Sequence, residues 1–245
     1  MSTISRQEII NKYKSTLEPL EYVYAMWLEG SDANGQLDEY SDIDINIDVA
    51  DEYEAEVFKL IESLFEYDSI YDTSGNSKQK QRIYHIKETS EYLMIDFNLQ
   101  PHSCNSENST FVYNDEIDVN LTLFDKANVI KYVELNPKWY AKEHQYWFKE
   151  SKYRFSQLCR VRKYTLRNEY PEAFIYYNKY VVEPIVMLLR IKYTPAKVNY
   201  HMIHISRHIP KNELQKLNRL LQVSNVDDIA NNLDYAVKWY NCLKM

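Results

Sequence analysis

Glycine is almost absent from this chain, and its scarcity restricts the folds that the chain can adopt. The 245 residues include only three glycines, Gly30, Gly35 and Gly75, where average usage of about 7% would give about 17. A dinucleotide-binding G-x-G-x-x-G loop needs three closely spaced glycines, so a standard Rossmann fingerprint is excluded. Gly30 and Gly35 have the Walker A spacing, but Gln36-Leu37 follows where Lys-Ser/Thr is required. A P-loop nucleotide site is therefore not expected.

Composition is that of a soluble globular protein. Hydrophobic residues make up 45% of the chain and charged residues 27%, which is enough for a sizeable core. The three cysteines have no metal-ligand spacing and predict free thiols in a reducing compartment. The N-terminus has no apolar signal core, and no apolar run approaches about 18 residues. We therefore expect a cytoplasmic protein without a membrane partner.

Charge is divided unequally along the chain. Residues 1–125 contain 8 Lys+Arg and 26 Asp+Glu, whereas residues 126–245 contain 21 and 10. Two solvated surfaces would explain this division. The division also suits a cleft between an acidic, metal-binding half and a basic half that receives phosphates. The net charge of −7 argues against nucleic acid as a partner.

Hydrophobic periodicity predicts an α/β arrangement in the first half. A capping box at Ser5 and Glu8 begins a helix that ends near Leu17. Strict alternation over residues 42–49 predicts a half-buried strand with Asp48 on its solvated face. Other segments are predicted as strands at 21–29, 68–73, 78–86 and 92–100, as a helix at 51–66 and as turns at 74–76 and 87–90.

The second half favours helices. We therefore predict an α+β chain, with an N-terminal mixed sheet and flanking helices over residues 1–125 and a C-terminal α-helical bundle over residues 126–245. His201, His204 and His208 would share one helix face, but no acidic residue or cysteine accompanies them, so zinc is not predicted. The predicted helices span 137–168, 172–193, 196–209, 211–221 and 226–243.

The densest functional signal lies between Leu28 and Asp44. A strand ends at Gly30-Ser31, where backbone N–H groups and a hydroxyl can approach phosphate oxygens. The next strand opens with Asp42 and Asp44, whose carboxylates lie on one face about 7 Å apart. Such a pair suits Mg²⁺, which prefers oxygen ligands and bridges substrate phosphates.

A third carboxylate stands on another predicted strand. Asp96 lies on the polar face of the segment 92–100, opposite Ile95 and Phe97. An isolated strand aspartate is often a surface residue. In register beside Asp42 and Asp44, however, Asp96 becomes a third metal ligand or a base for a reacting hydroxyl.

Together these residues resemble the signature of the nucleotidyltransferase superfamily with the polymerase-β-type fold. The spacing G-S-x-A-x-G-x5-S-D-I-D is similar to that of the minimal and antibiotic-modifying members, and the segment from Pro171 to Pro210 resembles the helical half of the kanamycin type. The resemblance implies Asp42, Asp44 and Asp96 as metal ligands. It implies Asp96 as the catalytic base as well, or else another acid such as Glu143, Glu150 or Glu172. It implies nucleotide-binding contacts at four positions: Gly30, Ser31, Ser41 and Lys163.

The implied reaction is Mg²⁺-dependent transfer of AMP from ATP to a hydroxyl of a small molecule, with release of pyrophosphate. The implied partners are a nucleoside triphosphate and a small hydroxylated acceptor such as an aminoglycoside or lincosamide antibiotic, and a homodimer is compatible with the sequence. One alternative is nucleotidylation of a protein or RNA, as in toxin–antitoxin members of the superfamily. Another is a catalytically degenerate nucleotide-binding module. That module is suggested by Asp32, Asn34 and Cys159, which stand where members carry arginine or a catalytic glutamate.

Overall fold

Six strands of the N-terminal half form one mixed sheet. The computed structural model describes residues 4–75, 78–104 and 109–244, so the turn predicted at 74–76 is described only as far as Gly75. The sheet order is β3-β4-β5-β2-β1-β7; β2 and β5 pair in parallel, and the other neighbours pair antiparallel. The remaining two strands, β6 and β8, pair with each other. The strands are β1 Val23–Leu28, β2 Ile43–Val49, β3 Tyr67–Asp72, β4 Lys80–Ile86, β5 Met94–Pro101, β6 Thr110–Val112, β7 Leu121–Asp125 and β8 Lys131–Val133.

The helix predicted at the start of the chain is confirmed as α1, Arg6–Leu17. Ser5 Oγ accepts a hydrogen bond from the backbone N–H of Glu8, and Glu8 Oε2 accepts one from the backbone N–H of Ser5 at 2.7 Å. This reciprocal pair is the predicted capping box. The helix predicted at 51–66 is shorter than expected: a 3₁₀ turn at Asp51–Tyr53 leads into α3, Glu54–Glu62.

One face of the sheet packs against α1 and α3. The buried cluster between them combines the apolar stripe of each helix with the inward-facing residues of β2 and β5. Phe97 of β5 is fully buried at its centre and contacts the rings of Tyr13, Phe58 and Tyr84. The alternation of apolar and polar residues in the sequence therefore directs the apolar side chains of these two strands into the core.

The prediction that β2 is solvated on its second face is wrong beyond Asp44. Asn46 is only 5% exposed and Asp48 only 1%. Asp48 accepts a hydrogen bond from Gln100 Nε2 at 2.6 Å, and its other oxygen lies 2.6 Å from Nδ1 of His102. The strand is central in the sheet, and a second apolar cluster that includes Phe111 lies on the face where Asp48 was expected to meet water.

The chain divides into two compact units, one ending at Leu135 and the other beginning at Asn136. The sequence places this boundary earlier, at residue 125, because residues 101–125 are polar. Within that polar stretch the structure forms β7, which extends the sheet beside β1. The mixed sheet followed by helices confirms the predicted α+β class.

Helices predominate in the second unit, as predicted. The segment 137–168 is two helices rather than one, because Gln157 has a ψ of 13° that interrupts the helical path. The segment 172–193 continues through a π-helical turn at Asn178–Val182. In the described residues, no helix is both long and apolar enough to span a bilayer. The helices are α4 Lys138–Ser156, α5 Leu158–Leu166, α6 Tyr170–Tyr177, α7 Glu183–Tyr193, α8 Ile205–His208, α9 Lys211–Leu221 and α10 Val226–Leu243.

The prediction of one continuous helix at 196–209 is wrong. A 3₁₀ segment at Pro195–Tyr200 is followed by turns in which His201 and His204 have φ values of 46° and 51°, so the histidines do not share a helix face. The fully buried Arg190 donates hydrogen bonds to the carbonyl oxygens of His201 and Ile203. These tertiary bonds use carbonyl groups that a continuous helix would need for itself.

Phe97→Ala is expected to lower the free energy of unfolding by about 3–5 kcal/mol, the cost of emptying a large aromatic site in a packed core. Urea denaturation followed by circular dichroism measures this change. Tyr71→Ala, at an exposed position of β3, is the matched control and should change it by less than about 0.5 kcal/mol. Equal effects from the two variants would contradict the assignment of Phe97 to the centre of the core.

Candidate active site

The carboxylates of Asp42, Asp44 and Asp96 meet on the polar face of the sheet. Asp44 of β2 stands beside Asp96 of β5 in the parallel register, and Asp42 directly precedes β2. One carboxylate oxygen from each residue lies within 4.8 Å of the other two. The structure thus brings together the three residues that the sequence predicts as metal ligands, at a spacing that a hard divalent cation could bridge.

The alternation of both strands explains why these carboxylates point the same way. Ile43 and Ile45 of β2, and Ile95 and Phe97 of β5, are fully buried in the core beneath the sheet. Because successive residues of a strand face opposite sides, burying these side chains directs the intervening aspartates to the other face. A register shift of one residue would place the carboxylates in the apolar core.

Burial and mutual repulsion disfavour the ionised form of this cluster. Burial is the main cause that raises the pKa of Asp44 to about 6, and the charges of Asp42 and Asp96 add to it. The pKa of Asp96 is also raised, first by burial and then by Asp42. Oδ1 of Asp96 is buried without a hydrogen-bond partner among the described residues. The site is therefore electronegative and suited to a cation.

A close approach of backbone to carboxylate requires glycine at the end of β1. Gly30 has a φ of 60°, and a Cβ at this position would overlap Oδ2 of Asp44. The chain then forms the short helix α2, Gly30–Asn34, which ends at Gly35 with a φ of 72°. Oγ of Ser31 is buried and, within the described ranges, has no hydrogen-bond partner. This hydroxyl can therefore donate to a ligand oxygen beside the carboxylates.

An ion pair that the sequence does not predict fixes the loop between β1 and β2. Arg6 donates from Nε to Oδ1 of Asp32 at 3.0 Å and from Nη2 to Oδ2 at 2.5 Å. The same guanidinium donates to the carbonyl oxygens of Ser41, at 2.7 Å, and Asp42. Arg6 and Asp32 side chains are only 16% and 7% exposed. Arg6 therefore neutralises Asp32 and joins α1 to both ends of the loop.

No motif or spacing in the sequence indicates that Arg6 pairs with Asp32. Arg6 lies in the first turn of α1, where the sequence signals only a capping box. The one available signal is Asp32 itself, an acidic residue in a loop expected to approach phosphates. A charge of the wrong sign in such a loop calls for a buried counter-ion.

Two residues predicted to contact phosphates have other contacts in the structure. Oγ of Ser41 donates to Oδ1 of Asp38 at 2.8 Å and accepts from the backbone N–H of Asp38 at 3.0 Å, which closes the turn before β2. Lys163 lies on α5 of the second unit, with its Nζ 4.5 Å from the ring centroid of Tyr164. Contact of either residue with a nucleotide stays a prediction.

Comparison with protein families identifies the class of this domain. Residues 9–113 match the family model described as a nucleotidyltransferase domain. The matched range includes Asp42, Asp44 and Asp96 as well as Gly30 and Ser31, and it ends within the first unit. The chain therefore contains a nucleotidyltransferase domain and is an enzyme of that class.

Two solved structures are similar to the chain at low identity. One is an aminoglycoside 6-adenyltransferase from Bacillus subtilis, with 15% identity, a TM-score of 0.37 and coverage of 98% of this chain and 89% of that chain. The other is a spectinomycin adenyltransferase from Enterococcus faecialis with ATP and spectinomycin, with 12% identity, a TM-score of 0.33 and coverage of 98% of each chain. No curated protein matches the sequence. Because both TM-scores are low, the assignment of class rests on the matched domain.

Asp44→Asn is expected to stabilise the metal-free protein more at pH 8 than at pH 5. The pKa of Asp44 in the folded state is raised to about 6, so the folded state favours the protonated carboxyl. This stabilisation is fully present below the ordinary pKa of an aspartate and is lost as the pH rises through about 6. Removing the ionised carboxylate should therefore add up to about 3 kcal/mol at pH 8. Urea denaturation in EDTA at the two pH values measures the difference.

The exposed Asp68 of β3 supplies the control for this prediction. Asp68→Asn should leave the stability difference between pH 5 and pH 8 as it is in the unmodified protein. If the Asp44→Asn variant is less stable than the unmodified protein at pH 8, then burial and the charges of Asp42 and Asp96 do not disfavour the ionised form of Asp44.

Arg6→Gln is expected to lower the free energy of unfolding by about 3 kcal/mol, because it leaves Asp32 buried without a counter-ion. Adding Asp32→Asn should recover part of this loss, with a coupling energy of about 1–3 kcal/mol in a double-mutant cycle. The exposed pair Lys87–Glu66 is the control, and its cycle should give less than about 1 kcal/mol. A coupling no larger than that of the control would rule out a stabilising role for the Arg6 pair.

Proposed function

We propose that this enzyme transfers AMP from ATP to a hydroxyl group of a small, amino-bearing molecule of the aminoglycoside type and releases pyrophosphate. The observation that carries the proposal is the cluster of Asp42, Asp44 and Asp96 beside Gly30 and Ser31 on one face of the sheet. Nucleotidyl transfer follows from the matched domain. The choice of nucleotide, metal and acceptor is argued below from the residues of the first unit.

The three aspartates fit a Mg²⁺ site. Their oxygens are hard donors within 4.8 Å of one another, and Oδ1 of Asp96 lacks a hydrogen-bond partner in the described part of the chain. Asp42 and Asp44 would hold the metal, with Asp96 completing the site. When bound, Mg²⁺ would supply Lewis-acid stabilisation of the negative charge on the phosphates.

Asp96 is the proposed base for the acceptor. One oxygen of Asp96 would contact the metal, and its other oxygen would be left to accept a proton. In the proposed reaction it takes the proton of the acceptor hydroxyl as that oxygen attacks the α-phosphorus of ATP. The bond from the α-phosphorus to the oxygen it shares with the β-phosphate breaks in line, and pyrophosphate leaves with the electron pair.

The loop after β1 is suited to the phosphates of the nucleotide. Gly30 keeps the backbone free of a side chain beside Asp44, and the buried hydroxyl of Ser31 has no partner in the described residues to compete with a phosphate oxygen. Asp32 would repel a triphosphate, but Arg6 cancels its charge. This pairing removes one reason for regarding the domain as a degenerate nucleotide-binding module. The turn at Ser41, and Lys163 of the second unit, are the remaining predicted contacts.

Charge supports an amino-bearing acceptor. Residues 1–125 contain 26 Asp+Glu against 8 Lys+Arg, so the half that holds the aspartate cluster attracts polycations. A neutral or anionic acceptor would gain nothing from this field. The similarity of the motif spacing to that of antibiotic-modifying nucleotidyltransferases supports the same class of acceptor.

Asp42→Asn is expected to lower nucleotidyl transfer by more than about 100-fold, since even outer-shell partners of a metal site are worth about 10–100-fold. The measurement is pyrophosphate release with Mg²⁺-ATP and a panel of aminoglycosides and lincosamides. Asp68→Asn, which changes an exposed aspartate of the same unit, should keep full activity.

The results of this assay separate the mechanism from the acceptor class. Undiminished transfer by Asp42→Asn would exclude the proposed metal site. Nucleotide binding without pyrophosphate release for any member of the panel would exclude a small amino-bearing acceptor.

A further inference from the structure

The side chain of Arg6 contacts the loop between β1 and β2 at three places. Its guanidinium bonds to both carboxylate oxygens of Asp32, to the carbonyl oxygen of Ser41 at 2.7 Å and to the carbonyl oxygen of Asp42. Asp42 carries one of the three carboxylates whose oxygens lie within 4.8 Å of one another. A side chain from α1 therefore bonds to the backbone of a proposed metal ligand.

Asp42 has less support from the sheet than the other two aspartates. Asp44 and Asp96 lie within β2 and β5 and stand side by side in the parallel ladder. Asp42 comes just before β2 and shortly after the exposed residues 35–40. Hydrogen bonds that close the turn before Asp42 join neighbouring residues of that turn, so they do not tie it to the rest of the unit. The bonds from Arg6 provide such a tie.

Helix α1 holds Arg6 at a fixed position. The capping box closes the first turn of the helix, in which Arg6 lies, and the buried residues of α1 pack in the core beneath the sheet. The Arg6 side chain is only 16% exposed. A planar guanidinium has five N–H donors and can bond to a carboxylate and two carbonyl oxygens at once, which a flexible ammonium group does poorly. The position of α1 therefore constrains the backbone of the loop before β2.

Asp32 makes it possible for a guanidinium to lie beside a cation site. An unpaired positive charge next to Asp42 would repel a divalent cation. The Asp32 side chain, which is only 7% exposed, forms an ion pair with Arg6 at 2.5 Å. Because the pair carries no net charge, Arg6 can hold the backbone at Asp42 without weakening the attraction of the aspartate cluster for a cation.

We propose that Arg6 is a positioning residue for the metal site. By bonding to the carbonyl oxygens of Ser41 and Asp42, it sets the direction of the Asp42 carboxylate and raises the affinity of the site for a divalent cation, as outer-shell partners of metal ligands do. Asp32 keeps this contact neutral. The inference rests on the proposed function, in which the three aspartates hold Mg²⁺. It adds to that site a residue of α1 that lies before the matched range, residues 9–113.

The test is a titration with Mn²⁺ alone, followed by electron paramagnetic resonance without nucleotide. The double variant Arg6→Met/Asp32→Asn removes one positive and one negative charge, so the net charge of the loop is unchanged while the bonds to the carbonyl oxygens are lost. Its affinity for Mn²⁺ should fall by about 10-fold or more, the effect of losing an outer-shell partner. Arg6→Lys keeps a cation beside Asp32 and should weaken Mn²⁺ binding by a smaller factor.

The exposed pair Lys87–Glu66 supplies the matched control. Lys87→Met/Glu66→Gln makes the same change of charge at the surface of the same unit and should leave the Mn²⁺ affinity unchanged.

Turnover supplies a second readout. If Arg6 acts through Asp42, the Mg²⁺ concentration that gives half-maximal pyrophosphate release should rise by about 10-fold in the double variant, and saturating Mg²⁺ should restore kcat. General damage to the fold would instead lower kcat at every Mg²⁺ concentration.

The two readouts separate the role of Arg6 from the proposed function. Equal Mn²⁺ affinity in the double variant and in an active unmodified enzyme would overturn the inference and leave the proposed function intact. Absence of Mn²⁺ binding by the unmodified protein, or a loss of kcat that saturating Mg²⁺ does not restore, would overturn the inference as well. Weaker Mn²⁺ binding by the double variant, with no pyrophosphate release by the unmodified protein for any acceptor, would support the role of Arg6 while refuting the proposed function.

Discussion

The parallel pairing of β2 with β5 is the constraint on which the active site depends. It sets Asp44 beside Asp96, and the buried residues between them keep both carboxylates on the same face. The pKa values of Asp44 and Asp96 are raised because burial and like charges both oppose ionisation, so holding these carboxylates ionised costs folding free energy. The apolar core beneath the same two strands offsets that cost. Stability and chemistry therefore come from opposite faces of one pair of strands.

The pairing also arranges the polar face of the sheet into successive rows. The first row is Asp44 with Asp96, and the second is Asn46 with Asn98. In the third row Asp48 is bonded to Gln100 and lies next to His102. In the first row, Oδ1 of Asp96 is buried without a hydrogen-bond partner among the described residues. The first row is therefore where a cation would complete the structure.

Arg6 shows how a helix far from the motif contributes to the site. Its guanidinium neutralises Asp32 and holds the backbone of Ser41 and Asp42. The loop can thus carry an acidic residue next to the aspartate cluster without adding uncompensated charge. The backbone at Asp42 is therefore held by Arg6 as well as by the strand that follows it.

The sequence by itself determined the features that depend on local pattern. Period-two alternation predicts the strands that carry Asp44 and Asp96, and Gly30-Ser31 predicts the end of the strand that precedes the loop. Tertiary structure alone decided the pairing of Arg6 with Asp32, the burial of β2 on both faces, the strand at 121–125 and the interrupted helix at 196–209. Each of these depends on contacts between segments far apart in the chain, such as the bonds from Arg190 to distant carbonyls. Alternation and turn chemistry report only on neighbours along the chain, so they carry no signal for such contacts.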